Sequence, residues 1–291
     1  MDKELRMKLS DLGSPEALAS CIVTHFPDIA APIPLRPIAE AVGIVEIIAQ
    51  KTGSFEGVLV TNSAKSTGSI AYNEASSPER SRFTIAHELG HFLMPLHGEN
   101  AQCAKSDMGG LTTQDSNRAR EVEANRFAAE LLMPKKLFLR DMRRLGGPEV
   151  EHVKKMAGDY EVSKEAAARR YTDLCDDPCA VIFSQNGVTG NVYKTRNFPF
   201  IGVRKGQPLS RQCISASGKS EPGTISDCSE VIAEIWLGDA RRLRGATLYE
   251  QFLDQANGFR MTMLTIDGLA DEDDPDEDEE MEERWTPRFR R

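Results

Sequence analysis

Apolar and polar residues alternate at helical spacing near the start of the chain. In residues 14–27, Ser14 and Pro15 occupy the types of position that begin helices. Apolar residues at Ala17, Leu18, Cys21 and Ile22 follow on one face. A second short helix is predicted over residues 35–42, where Gly43 would end it.

The pattern then changes to one that favours strands. Residues 45–49, 57–61 and 69–73 are rich in β-branched or aromatic residues and are separated by Gly, Ser and Asn. Because the links are short, they predict an antiparallel meander. Such a sheet could hold an extended peptide along its edge by strand addition.

A longer, mostly apolar helix follows, with Ser77 as its expected N-cap and Pro78 at its first position. It contains the pattern H-E-x-x-H as His87, Glu88 and His91. Positions four apart share one face of a helix, so the two histidines can bind one metal ion together. Glu88 would lie within reach of a water molecule at that metal and is the predicted catalytic base.

A catalytic zinc usually has three protein ligands, and two candidates compete for the third position. His97 has the spacing of a metzincin ligand, but Met94-Pro95 occupies the place where that motif needs a glycine turn. On the next predicted helix, Glu121 and Asn125 share a face, which is the gluzincin arrangement. Glu121 is therefore the predicted third ligand. Its neighbour Glu123 is the local rival, although it faces a different side.

The two motifs HELGH and EVEANRFAAELLMP, in this order and separation, resemble the ImmA/IrrE family of bacterial metallopeptidases. The resemblance covers about residues 30–145. It implies that His87, His91 and Glu121 bind the metal and that Glu88 is the catalytic acid and base. It also implies a zinc endopeptidase, with manganese as the alternative metal, that cuts a helix-turn-helix repressor of the XRE type and so switches on stress-response or mobile-element genes.

The fold class predicted for the chain is α+β, and four parts are expected. A zincin-like metallopeptidase domain with a small antiparallel sheet and an active-site helix should cover residues 1–145, including a mobile loop at residues 98–115. A helix-turn-helix-like segment at residues 146–176 is interpreted as a helical buttress. A second α/β domain should cover residues 177–268; the resemblance implies a GAF-like sensor domain, and a dimerisation or packing domain is the equal alternative. Residues 269–291 should form a disordered acidic tail.

Within the second domain, strands are predicted at residues 180–184, 188–193, 199–204 and 261–266, and helices at residues 229–236 and 248–256. The helix after residue 115 should bury an inward face that includes Val122, Asn125, Phe127, Ala128, Leu131 and Leu132.

Charge and composition narrow the partners. The net charge is −9, and residues 271–283 alone carry eleven acidic side chains, so the remainder is at +2. This gives no basic footprint for nucleic acid, and DNA binding is not expected. No apolar run approaches a membrane span, and the start of the chain does not resemble a signal peptide, so a cytoplasmic protein is expected. The six cysteines are scattered and are interpreted as reduced thiols.

These observations favour an enzyme that regulates a repressor. The alternative is a non-catalytic transcription regulator, with a structural metal site and a C-terminal domain that binds a partner or ligand. Glu88 favours the enzyme, because a structural site needs no base beside its ligands. A structural zinc site is also more often closed by four protein ligands, and the sequence offers no fourth.

Overall fold

A computed structural model describes residues 1–95, 97, 100–103, 115–216, 221–243 and 245–268, with the backbone alone at 100–103, 115–117 and 242. The helices in this part of the chain are α1 (Lys3–Ser10), α2 (Pro15–His25), α3 (Leu35–Val42), α4 (Pro78–Leu93), α5 (Asp115–Leu132), α6 (Lys135–Arg143), α7 (Val150–Tyr160) and α8 (Lys164–Leu174). The strands are β1 (Ile44–Gln50), β2 (Gly57–Thr61), β3 (Gly68–Asn73), β4 (Asn100–Cys103), β5 (Cys179–Gln185), β6 (Val188–Lys194), β7 (Ser229–Glu230), β8 (Thr247–Asp254) and β9 (Phe259–Asp267). The α+β prediction is confirmed.

The first helices begin and end where their capping residues predict. The Ser14 side chain accepts a hydrogen bond from the backbone N–H of Ala17 at the start of α2, and Ser77 accepts one from Arg80 at the start of α4. Gly43 ends α3 in the left-handed conformation, at φ 109°. Each of these capping residues acts within the first or last turn of its helix, so the sequence alone is sufficient to predict the helix ends.

The first sheet has the strand order β1-β3-β2-β4. The meander prediction is wrong at its first link, because β1 pairs in parallel with β3, whereas β2 pairs antiparallel with both β3 and β4. The connection after β1 is long enough for β2 to pass one strand position beyond β3. The prediction of a loop over residues 98–115 is also wrong at residues 100–103, which form β4; residues 98–99 and 104–114 lie outside the described part.

Helix α4 packs between this sheet and α5. Leu89 and Phe92 are fully buried, and α5 contributes Phe127 and Ala128 to the same core. The predicted inward face of α5 is correct except at Val122, whose side chain is 56% exposed. One face of α5 thus packs into the core, and the adjacent face of α5 points towards the candidate site.

The second sheet, with the order β6-β5-β9-β8-β7, has two buried faces. On β5, Val181 packs into the main core with α7 and α8, whereas Ala180 and Ile182 face a second cluster around Trp236. This division follows from the alternation of side chains along a strand. Helices α7 and α8 are thereby enclosed between α6 and the second sheet.

The second sheet differs from the sequence prediction in its helices. Residues 248–256, predicted as a helix, lie mostly in β8, and residues 229–236 contain β7 and a short 3-10 turn. Residues 199–204, predicted as a strand, form only an isolated bridge at Ile201. Among the described residues after Leu174 there is no α-helix, so the prediction of a second α/β domain is wrong in this respect; the GAF-like assignment stays a prediction.

The two helices of the helix-turn-helix-like segment are present as α7 and α8. Arg170 on α8 donates two hydrogen bonds to the Glu130 carboxylate at 2.7 and 2.6 Å and a third to the Met133 carbonyl. Because its side chain is 10% exposed and bidentate, it fastens α8 to α5. This arrangement supports the buttress interpretation of the segment.

Two further expectations concern the chain as a whole. No helix in the described ranges is long and apolar enough to cross a membrane. The five described cysteines are all free thiols. The acidic run of residues 271–283 lies outside the described part.

Candidate metal centre

The centre is built on α4, where His87 and His91 lie one turn apart on the same face. Their Nε2 atoms are 3.1 Å apart. Both residues are buried, at 0% and 3% exposure. Two imidazoles converging in an apolar core form half of a metal site.

Helix α5 supplies the facing carboxylate. The two Glu121 carboxylate oxygens lie 3.2 Å from His87 Nε2 and 3.3 Å from His91 Nε2. One turn later on α5, the Asn125 Oδ1 atom lies 3.0 Å from His87 Nδ1. The two helices can approach this closely because Gly90 faces Ala124 and Phe127 without a side chain of its own.

The donor atoms of these three residues fit a metal ion. A tetrahedral zinc with bonds of about 2.1 Å places its donors about 3.4 Å apart, close to the separations seen here. Asn125 occupies the Nδ1 side of His87, so that Nδ1 carries the proton and Nε2 keeps its lone pair. His87, His91 and Glu121 together could therefore hold a metal ion.

The electrostatics of the site favour a neutral His87 and a charged Glu121 near neutral pH. Burial lowers the pKa of His87, which favours the neutral ring that binds metals. Burial raises the pKa of Glu121, but its close contacts with His87 and His91 outweigh this effect and lower that pKa to about 2. A carboxylate and a neutral imidazole are the forms that a divalent metal requires.

Glu88 lies beside the donors on α4 and is fully buried. It faces β2, where Gly57 lies directly against its side chain and that of Thr84. A side chain at position 57 would occupy this space, so the strand needs glycine here. The sequence alone gives no signal for this role of Gly57, because it depends on the packing of β2 on α4.

His97 does not join the three donors. Its Nδ1 atom lies 2.8 Å from Nδ1 of His91, and its Nε2 atom lies 3.0 Å from the Glu123 carboxylate. It therefore contacts the ring edge of His91 opposite the edge that faces Glu121. The sequence raised His97 and Glu123 as rivals for the metal; the structure instead places them together behind one of the histidines.

Comparison with known proteins defines the class of this domain. Residues 39–172 match the Peptidase_M78 family, described as "IrrE N-terminal-like domain". The matched residues include the whole of α4 and α5 and therefore all the donors described above. The match over this part of the chain confirms the resemblance to ImmA/IrrE proteins and supports a metallopeptidase-like domain.

The fold is shared with a solved structure over most of its length. A "Mycobacterium tuberculosis transcriptional regulator" superposes with a TM-score of 0.53, over 90% of this chain and 80% of its own, at 14% sequence identity. At this identity the likeness concerns the fold. No curated protein sequence matches the chain.

Proposed function

We propose that this protein is a zinc-dependent endopeptidase that cleaves a helix-turn-helix repressor of the XRE type. The observation that carries the proposal is the convergence of His87, His91 and Glu121 beside the buried Glu88, in a domain of a peptidase family. Nitrogen and carboxylate donors suit zinc, and manganese is the alternative.

The three donor residues would hold the metal, and a hydrogen-bond partner or the packing of its helix fixes the position of each. His87 is held by Asn125, and Glu121 is brought to the histidines by the close packing of α5 on α4. When bound, zinc supplies a Lewis acid that polarises the peptide carbonyl and makes water acidic enough to attack at neutral pH.

Glu88 would carry the proton during peptide cleavage. Its carboxylate accepts a proton from the attacking water, directs that water at the carbonyl carbon, and returns the proton to the leaving amine. Glu88 suits this role because it lies next to His87 on α4 and is fully buried at the site.

The first sheet offers a place for the substrate. β4 is the terminal strand of that sheet, and its residue Cys103 pairs in register with Gly57, which contacts Glu88. An extended peptide that adds to β4 would lie two strand spacings, about 10 Å, from Gly57. The repressor as substrate rests on the family resemblance.

Incubation of the purified protein with purified helix-turn-helix repressors of the XRE type tests the proposal. Parallel reactions contain zinc, manganese or a chelator, and products are mapped by mass spectrometry. A single cut that requires metal is expected. If the protein binds zinc and the repressor stays intact in every reaction, the non-catalytic regulator is the correct alternative.

A further inference from the structure

His91, His97 and Glu123 form a continuous hydrogen-bonded chain on the side of the centre opposite Glu121. The chain has two links, of 2.8 Å between the Nδ1 atoms of the two rings and of 3.0 Å from His97 Nε2 to Glu123 Oε2. His97 is 4% exposed, whereas the Glu123 side chain is 48% exposed. A buried imidazole is thus joined to a carboxylate at the surface.

The end of α4 holds His97 in place. The backbone N–H of His97 donates to the Met94 carbonyl at 3.3 Å. The Lys65 ammonium group donates to the carbonyls of His91 and Met94 at 2.8 and 3.0 Å. Because these contacts bind the last turn of α4 and the residues after it, the His97 ring is directed back towards His91.

We propose that His97, backed by Glu123, is a positioning residue that orients the His91 ring and fixes its tautomer for metal binding. The inference rests on the proposed metal site and deepens it. If Nε2 of neutral His91 presents its lone pair to the metal, the proton lies on Nδ1 and is donated to Nδ1 of His97. His97 then carries its own proton on Nε2 and donates it to Glu123.

His97 and Glu123 give His91 a hydrogen-bond partner at Nδ1, as Asn125 does for His87. Metal-binding histidines usually donate their second ring N–H to a carboxylate or carbonyl, and loss of that partner typically weakens metal binding about 10–100-fold. Here an imidazole stands between the ligand and the carboxylate. The side chain at position 123 would then act on the metal through His97 and not by contact.

The first test measures zinc affinity by competition with a chromophoric chelator, for which no substrate is needed. His97→Leu removes the acceptor and should weaken zinc binding about 10–100-fold. His97→Asn keeps an acceptor near the ring Nδ1 position and should stay within about threefold of the wild type. Glu121→Ala removes a ligand and should weaken binding more than either variant.

The second test is a double-mutant cycle, and its Glu123→Ala single variant still tests the inference if His97→Leu does not fold. Glu123→Ala alters a half-exposed residue and should weaken zinc binding about 3–10-fold in the wild type, but not further in the His97→Leu background. Glu16→Ala is the matched control, since Glu16 is 45% exposed and pairs with Arg126 at 2.8 Å. It should leave zinc affinity unchanged.

Three results would overturn the inference: wild-type zinc affinity in both His97→Leu and Glu123→Ala, an equal loss in His97→Asn and His97→Leu, or the same Glu123→Ala effect in both backgrounds. Failure of the proposed function looks different. A wild-type protein that binds no zinc removes the metal site itself, whereas a protein that binds zinc without cleaving a repressor removes only the peptidase.

Discussion

Replacing Gly57 with alanine would place a methyl group between β2 and α4. The new carbon would lie 2.5 Å from Thr84 Cγ2 and 3.1 Å from Glu88 Cδ, with the nearer carboxylate oxygen of Glu88 closer still. Ordinary contacts of this kind begin at 3.4 Å. The side chains of Thr84 and Glu88 must therefore move, by up to about 1 Å for a single contact.

The expected effect is on catalysis more than on folding. A displacement of about 1 Å at a catalytic group can lower the rate about 100-fold, which corresponds to about 2.7 kcal/mol in the activation free energy. The atoms that must move are side-chain ends, so the stability cost should stay at about 1–3 kcal/mol. His87, His91 and Glu121 are not among the nearest atoms, and zinc should remain bound.

The assay compares Gly57→Ala with Gly53→Ala, which is a matched control because a methyl group at position 53 would meet nothing within 4 Å. Zinc content, the unfolding midpoint and the rate of repressor cleavage are measured for both variants. Gly53→Ala should cleave like the wild type. Wild-type cleavage by folded, zinc-loaded Gly57→Ala would refute the assignment of Glu88 as the proton carrier.

Two further predictions concern stability. In Gly90→Ala the methyl group would lie 3.0 Å from Phe127 Cδ1 and 3.3 Å from Ala124 Cα. Overpacking should destabilise the protein by about 1–3 kcal/mol, which exceeds the gain of about 1 kcal/mol in helix propensity. A urea midpoint at or above the wild-type value would argue against this close packing. In the metal-free protein, burial lowers the pKa of His87 and lowers that of His97 to about 4, against 6.5 for an ordinary histidine. The unfolded chain therefore binds more protons than the folded protein below pH 6.5. The free energy of unfolding should have its full value above pH 6.5 and decline as the pH falls towards 4. Urea midpoints measured in chelator that stay constant over this range would contradict the prediction.

The helices of the candidate site could be predicted because their signals are local. Ser77 and Pro78 begin α4 through contacts within its first turn, and the i, i+4 spacing puts His87 and His91 on one face whatever the fold. The choice of Glu121 came from the same periodicity on α5. Its meeting with the histidines depends on tertiary packing, which the sequence alone does not define.

The prediction of secondary structure from the sequence failed in β8, where a charged residue is buried. β8 has buried positions at Leu248, Glu250 and Phe252. Glu250 accepts hydrogen bonds from the Trp236 indole at 2.8 Å and from the Ser215 backbone N–H, so a charged residue occupies a core position of the strand. The apolar alternation is thereby hidden, and the stretch resembles a helix. A partner that is distant along the chain leaves no periodic signal.

The proposed role of His97 could not be predicted from the sequence for a related reason. The spacing from His91 suggested a ligand, and Met94-Pro95 argued against it, but neither observation indicates what His97 contacts instead. Its partner Glu123 lies 26 residues further on, on a helix whose angle to α4 is fixed by Gly90 and the core. Contacts of this kind follow from the packing of two helices and not from the pattern of either one.

The most direct test of the account is the Glu88→Gln variant, assayed for both zinc content and repressor cleavage. Glutamine has nearly the same shape but cannot accept the proton, whereas the three donor residues are unchanged. We expect one zinc per chain, as in the wild type, and loss of the single cut. Cleavage at the wild-type rate by zinc-loaded Glu88→Gln would contradict the assignment of Glu88 as the proton carrier.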